Sequence, residues 1–497
     1  MKSTEKCWLD GQITVFASLI FMMVVSVLLS QYKSALFYAC YSDANQAAQL
    51  SVDAFLATYQ RPLRDRYGIL AVDAGYGSKT FAEEKIENLL LEVFNRNIQS
   101  SLDVGAIQSI RLVDMPVYTM LCDSEWEWLL REMTLNRQEV LVDQGIEWII
   151  EQWTATNNQA ENELIEKKRI AQETENTMDE STKEESDTQV LSEQDPRDNL
   201  MNIWNQGILK AACPAGYLIS EKTIQLLDVS FPENVKSMDA HINFQDESSV
   251  LRMFDQWENI LNPEMFVKDL SEKTVLQSYI QTYFQNFSKT SEKEESNMHA
   301  LDYEVEYLIG GKESDRENLR VILWKLLALR CVFNLSYLMS SPEKSQQVYA
   351  TAAALSTALW IPQFTEVTAF VLKIAWAFAE SLADCRTLLS GGKIPMLKDD
   401  TSWYLTWNQM MSLNSEVLDL NKSQQGWDYN QYLQILLTFT ETDTLYRRMT
   451  HLMEKNIRLM PQYEGFWMKN CIYGVLVNYE CEFDTFGSYT IQTALSY

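Results

Sequence analysis

The stretch that decides the fold is GQITVFASLIFMMVVSVLLSQY, residues 11–32, which carries no charged side chain. As a helix these 22 positions reach about 33 Å, the thickness of a bilayer's hydrocarbon core. Residues 13–29 are apolar apart from Thr14, Ser18 and Ser26. Buried core helices rarely run so long without a charge, so the stretch reads as one membrane-spanning helix meeting the lipid bilayer over residues 12–32. Lys2 and Lys6 precede it and Lys33 follows, a positive-inside bias for a cytoplasmic amino terminus and an extracellular body on the cell membrane. A cleaved signal peptide is the competing reading, with a lipoprotein-like junction at Phe37-Tyr38-Ala39-Cys40, although the apolar run exceeds an ordinary signal core.

Residues 33–60 contain no Pro or Gly and return Ala44, Ala47, Ala48, Leu50, Ala54, Phe55 and Tyr59 as a rough stripe. Pro62 is the first breaker after Gly11. One helix over residues 12–60 would be about 73 Å long, apolar in its first half and amphipathic in its second. A strand is expected over residues 67–73, followed by the turn-rich Ala74-Gly75-Tyr76-Gly77.

The rest of the 497-residue chain has globular composition, 46% hydrophobic and 11% aromatic. Its 41 basic and 69 acidic residues leave a net charge of −28, which argues against nucleic acid as a partner. Helical periodicity marks residues 81–99, and residues 106–121 are β-like. From Ser124 a helix resumes, with Trp126, Trp128, Trp148 and Trp153 as core aromatics. Residues 173–198 hold 10 acidic and 2 basic side chains without an aromatic or a glycine, the composition of a solvated linker. They lack the turn glycine and alternating ligands of a calcium loop. Residues 319–339, 343–359 and 362–389 read as a soluble helical bundle, the last stopped by Gly391-Gly392. Helices at 429–439 and 444–460 and one or two strands within 466–483 close the pattern.

The expected fold is therefore α+β and helix-rich. A long N-terminal helix, transmembrane and pilin-like, leads into a small antiparallel sheet built from N- and C-terminal strands, with a large helical bundle inserted between them. The expected segments are a cytoplasmic leader (1–11), the long helix (12–60), an α/β part of the head (61–156), an acidic disordered linker (157–199), a mixed middle (200–300), the bundle (301–425) and terminal helices and strands (426–497).

One polar constellation in the bundle could carry chemistry. Trp376, Glu380 and Asp384 fall at i, i+4 and i+8 on one helix face, and Arg330 and Asn334 share a face of another. Two carboxylates facing an arginine suit acid–base catalysis, but the favoured reading is a structural polar network joining two helices. His241, His299 and His451 have no metal-ligand spacing, so neither a metal nor another cofactor is expected. The eight cysteines form no CxxC; Cys471 and Cys481 on one strand would be about 33 Å apart, too far to bridge. Gly310-Gly311 and Gly391-Gly392 lack the Lys-Ser/Thr of a phosphate loop and read as turns. No catalytic residue and no small-molecule substrate is indicated.

The opening Gly11-Gln12-Ile13-Thr14-Val15-Phe16-Ala17 and residues 43–73 resemble the pseudopilin-related proteins of tight-adherence (Tad/Flp) pilus loci. The chain as a whole resembles an uncharacterised family of large single-pass surface proteins from Gram-positive anaerobes, domain-of-unknown-function family 5702. That likeness is dense at Glu306-Tyr307-Leu308-Ile309-Gly310-Gly311-Lys312, Asn318-Leu319, Leu329-Arg330, Asn334, Ala375-Trp376-Ala377 and Glu380, and again over residues 466–483. The pilin resemblance implies peptidase cleavage between Gly11 and Gln12 and pilus or pseudopilus subunits as partners. It also implies a glutamate at the fifth position after the cut, where this chain has Phe16. Gly11 also reads simply as a loop glycine before a membrane helix. A bulky head fits a minor or tip component, and the missing glutamate fits a membrane-anchored scaffold or adhesin outside any filament. An external hydrolase using Glu380 and Asp384 is the third expectation.

Overall fold

The computed structural model describes the chain except residues 1–3, 102–106, 136–142, 178–194, 215, 233–241, 262–269, 289–297, 360, 420–422 and 485. It divides into two compact units, Met1–Glu132 with Gln462–Tyr497, and Met133–Pro461. The second is thus an insertion between parts of the first.

In unit 1 the elements run α1 (Thr4–Leu56), α2 (Arg61–Tyr67), β1 (Val72–Asp73), α3 (Glu83–Ser101), β2 (Ile107–Leu112), β3 (Val117–Met120) and the start of α4 (Glu127–Leu135), then β4 (Cys471–Phe483) and β5 (Gly487–Ser496). Every strand pairs antiparallel with β4. Ile472 pairs with Val72 and also with Met120, so β1 and β3 lie on opposite edges. Leu476 likewise takes Val117 and Ala494, which puts β5 beside β1 and β2 beside β3. Early and late parts of the chain therefore share one sheet, as expected.

The two halves of α1 differ in what they bury. Cys40, Ala44, Ala48, Val52 and Leu56, spaced by four, and Ala47, Ser51 and Phe55 beside them form a buried stripe. Their small side chains let the helix approach the sheet, where the odd-numbered Val475, Val477, Tyr479, Cys481 and Phe483 of β4 face them. Ile86, Leu90, Phe94 and Ile98 of α3 complete that core. The Ser51 and Tyr479 hydroxyls meet at 2.7 Å inside it. Residues 13–29 bury nothing: Phe21 is 69% and Met22 74% exposed. The helix from Ile13 is long and apolar enough to cross a membrane. The core helix Asp315–Ser340 passes the same test, but its apolar window is 89% buried inside unit 2.

Unit 2 continues with α5 (Asp143–Thr177), α6 (Pro196–Trp204), α7 (Ile208–Ala212), α8 (Glu247–Leu261), α9 (Leu270–Tyr283), α10 (Glu304–Gly310), α11 (Asp315–Ser340), α12 (Pro342–Ala358), α13 (Thr365–Leu389), α14 (Trp407–Met411), α15 (Ser415–Asp419), α16 (Tyr429–Thr438) and α17 (Thr442–Arg458). Its centre is the packed pair α11 and α13. Ser314 caps α11 by accepting from the Glu317 amide, and α13 is buried from Ile374 to Leu389.

Several expectations need correction. The helix begins at Thr4 rather than residue 12, so Gly11 lies within α1, not in a preceding loop. It stops at Leu56 because Thr58 turns back, its hydroxyl donating to the Phe55 carbonyl, and Pro62 restarts the chain as α2. Tyr67 closes α2, and Gly68 caps it at φ 68°, which leaves only Val72–Asp73 of the expected 67–73 strand to pair. The expected linker at 157–199 is helical at both ends. Ala160, Leu164 and Ala171 fall on one buried face of α5, which carries the helix to Thr177, and Pro196 opens α6. Residues 178–194 of that linker lie outside the described residues. The middle region 200–300 is helical wherever it is described beyond short turns and extended pieces, with no strand of the sheet. A second C-terminal strand, β5, extends beyond the expected 466–483.

Candidate functional site

The constellation expected in the bundle comes together. Helix α11 places Arg330 and Asn334 one turn apart, and α13 presents Ser381 and Asp384 to them directly, while Glu380 and Trp376 join through Lys398 and Leu405. Arg330 Nε donates to Asp384 Oδ2 at 3.1 Å, and its Nη1 donates to the Pro395 and Met396 carbonyls at 3.0 and 2.7 Å. Nη1 also reaches the Tyr432 hydroxyl at 3.1 Å, while Nη2 donates to Asn334 Oδ1 at 3.1 Å. Asn334 Nδ2 in turn donates to Asp384 Oδ2 and to the Ser381 hydroxyl, at 3.0 and 2.9 Å.

The sequence reading missed the second cation. Lys398, on the segment after α13, donates to Asp384 Oδ1 at 2.6 Å and to Glu380 Oε1. Glu380 also accepts the Tyr404 and Leu405 amides at 2.9 and 2.8 Å, and the Trp376 indole donates to the Leu405 carbonyl at 3.0 Å. Two cations thus balance two carboxylates, and all four side chains are closed to solvent. Burial alone would raise the Asp384 carboxyl, but the Lys398 and Arg330 charges, with hydrogen bonds from Lys398 and Asn334, hold it below the usual carboxylate range. Burial pushes the Tyr432 hydroxyl up to about 12. The arrangement fastens residues 395–405 onto α11 and α13. Arg330 contacts Asp384 rather than Glu380, and both carboxylates are fully buried.

A second buried set surrounds α10. Asp315 accepts the Asp302 and Tyr303 amides, each at 3.0 Å, and the Ser220 hydroxyl at 2.6 Å. Glu306 accepts the Phe287 amide and the Tyr429 hydroxyl, both at 2.9 Å, while its Oε2 is buried without a partner. Burial outweighs those bonds and pushes its carboxyl up to about 7. Gly311 caps α10 at φ 65°, and a β-carbon there would lie 2.5 Å from the Arg448 guanidinium, which donates to the Leu308 carbonyl at 2.8 Å. Gly310 ends α10 and Gly311 is its cap rather than the pair forming a turn, while Gly391, at φ 85°, lies in a turn.

Histidine and cysteine chemistry is muted. His451 Nδ1 meets the Tyr307 hydroxyl at 2.5 Å, and burial with the nearby Lys455 and Arg458 charges pulls it down to about 3. His299 contacts Glu304 at 3.0 Å, and His241 lies outside the described residues. The described cysteines are free thiols, Cys471 and Cys481 on one continuous strand, and burial pushes Cys213 and Cys481 up to about 11. Among the described residues no group of three His, Cys, Asp or Glu side chains is placed to hold a metal ion. An open polar cavity of about 1000 Å³ is lined by residues including Asp195, Asp198, Asn202, Asn243 and Asp246.

No curated protein and no solved structure matches the chain. Residues 185–483, which hold both buried networks and strand β4, match the model of a family of unknown function, DUF5702, and the chain belongs to that family.

Proposed function

We propose that the protein is a membrane-anchored extracytoplasmic structural protein, a minor or tip pseudopilin-like component of a tight-adherence-type pilus or secretion system. The carrying observation is α1 itself, an unbroken helix whose residues 13–29 are apolar and exposed while residues 40–56 form the spine of an α/β head. That is the ground plan of a pilin-like subunit, and a Gram-positive surface is the setting the resemblance implies. In this reading the amino terminus is cytoplasmic, the body is outside, and the partners are the bilayer and pilus subunits. The Arg330, Lys398, Glu380 and Asp384 network serves stability rather than catalysis, which its complete burial supports.

A second reading is favoured by Phe16 and by the helical setting of Gly11: a membrane-anchored scaffold or adhesin that is never drawn into a filament. Sequencing the amino terminus of the protein recovered from membranes separates the two. A chain beginning at Gln12 supports pseudopilin processing, an intact Met1 supports the permanent anchor, and a start near Cys40 overturns both.

A further inference from the structure

We propose that the aromatic cluster joining α1 to the end of the β4–β5 hairpin is a lipid-headgroup contact, a collar through which unit 1 rests on the bilayer. It rests on the reading that residues 13–29 span the membrane, and goes further by assigning a second, non-spanning element to the interface.

The Phe37 ring centre lies 4.8 Å from that of Tyr489, 5.3 Å from Phe486, 5.7 Å from Tyr38 and 6.5 Å from Phe483. The first two partners belong to β5 and the hairpin turn, so residues some 450 positions away in sequence join the helix here. This cluster is not sealed: Tyr38 is 69% and Tyr489 39% exposed, and Tyr32, one and a half turns earlier, is 63% exposed. Core aromatics of unit 1 such as Phe94 and Tyr479 are fully buried by comparison.

Helix geometry sets the depth. Phe37 follows Tyr32 by five residues of continuous helix, a rise of about 7.5 Å. A headgroup layer extends about 5–8 Å beyond each side of the hydrocarbon core. With no break in α1 between span and head, a span that reaches Tyr32 brings the hairpin end to that layer. Tyrosine settles at this boundary, its ring toward the acyl chains and its hydroxyl toward water, and the phenylalanines beside it add apolar surface. Lys33 can extend its ammonium into the same layer, and Asp484, at the hairpin end, is bonded by Gln108 rather than left bare. Continuity with the apolar half of the helix selects lipid as the occupant.

The test is photolabelling of the full chain reconstituted in phosphatidylcholine vesicles, with a diazirine carried near the headgroup or near the acyl end of a tracer lipid. Labelled peptides are mapped by mass spectrometry. The shallow probe is expected on peptides carrying Tyr38, Phe486 and Tyr489, and the deep probe on residues 13–29 alone. The double variant Tyr38→Ser with Tyr489→Ser should stay folded by circular dichroism and lose shallow labelling of the hairpin several-fold. Deep labelling of residues 13–29 with a clean hairpin overturns the collar and leaves the anchor standing. Hairpin peptides shielded from lipid but cross-linked between copies mean that protein covers the cluster, which also overturns it. Absence of deep labelling defeats the anchor, and the collar with it.

Discussion

Asp384 and Lys398 are paired at 2.6 Å with neither side chain open to solvent. One comes from the core of α13 and the other from the irregular segment that follows, so the contact fixes a loop rather than a helix. Removing one partner of a buried pair leaves an uncompensated charge, which costs about 3–5 kcal/mol. Lys398→Met is therefore expected to lower the free energy of unfolding by that amount, and Arg330→Met similarly. Urea titration followed by circular dichroism measures it, and an unchanged midpoint for both variants would remove the structural role.

Glu306 makes a pH-dependent contribution. Its carboxyl is raised by burial from 4.5 to about 7, so the native state favours the protonated form. Stability from this group is fully present below about pH 4.5 and is lost as pH rises through 7, a difference of roughly 3 kcal/mol. Glu306→Gln keeps an acceptor for the Phe287 amide and drops the charge. The variant should melt higher than the natural protein above pH 7 and gain nothing near pH 4.5. Thermal scans across that range check it.

Lys325 works in the opposite direction along the pH axis. Burial, with the Arg448 charge nearby, pulls its ammonium from 10.5 down to about 8. The unfolded chain holds that proton more tightly, so the penalty is complete below pH 8 and fades as pH rises from 8 toward 10.5. Lys325→Met, similar in length and apolar, is expected to stabilise the protein at neutral pH. A fall in melting temperature at pH 7 would contradict this.

Gly311→Ala should destabilise by about 1–3 kcal/mol, because its φ of 65° strains any other residue and the new β-carbon displaces Arg448 from beneath the turn. Gly391→Ala is the comparison: φ is 85° there too, but a β-carbon meets nothing within 4 Å. It should cost less. Equal losses in chemical denaturation would mean that the Arg448 contact contributes nothing.

Periodicity made the long helices legible. Apolar spacing over residues 319–339 and 362–389 located α11 and α13, and the i, i+4, i+8 arrangement placed Trp376, Glu380 and Asp384 on one face. Lys398 was invisible to the same reasoning. It belongs to no periodic element, and only the folded return of the chain after Gly391-Gly392 brings it to the carboxylates. Strand β5 escaped for a related cause: in GSYTIQTALS only Ile491 is buried, so the alternation that marks a half-buried strand is nearly absent. The 67–73 stretch erred the other way, since its β-branched and aromatic residues suit a strand while Gly68 and the sheet register leave just two of them paired. Composition likewise favoured a solvated tract from residue 157, yet a sparse stripe of Ala160, Leu164 and Ala171 is enough to bury one face of α5.

The insertion of unit 2 between β3 and β4 imposes an order of events on biosynthesis. Strand β4, beginning at Cys471, leaves the ribosome after every helix of unit 2, and it is the strand to which all others of the sheet bond. The inserted helices can pack as a body of their own while translation continues. The buried stripe of α1, made first, can meet α3 early, but its sheet side must wait for strands made last. During that interval its Cys40-to-Leu56 face is open apolar surface next to a segment already suited to lipid, a period in which a chaperone or the translocation machinery would find it unsheltered.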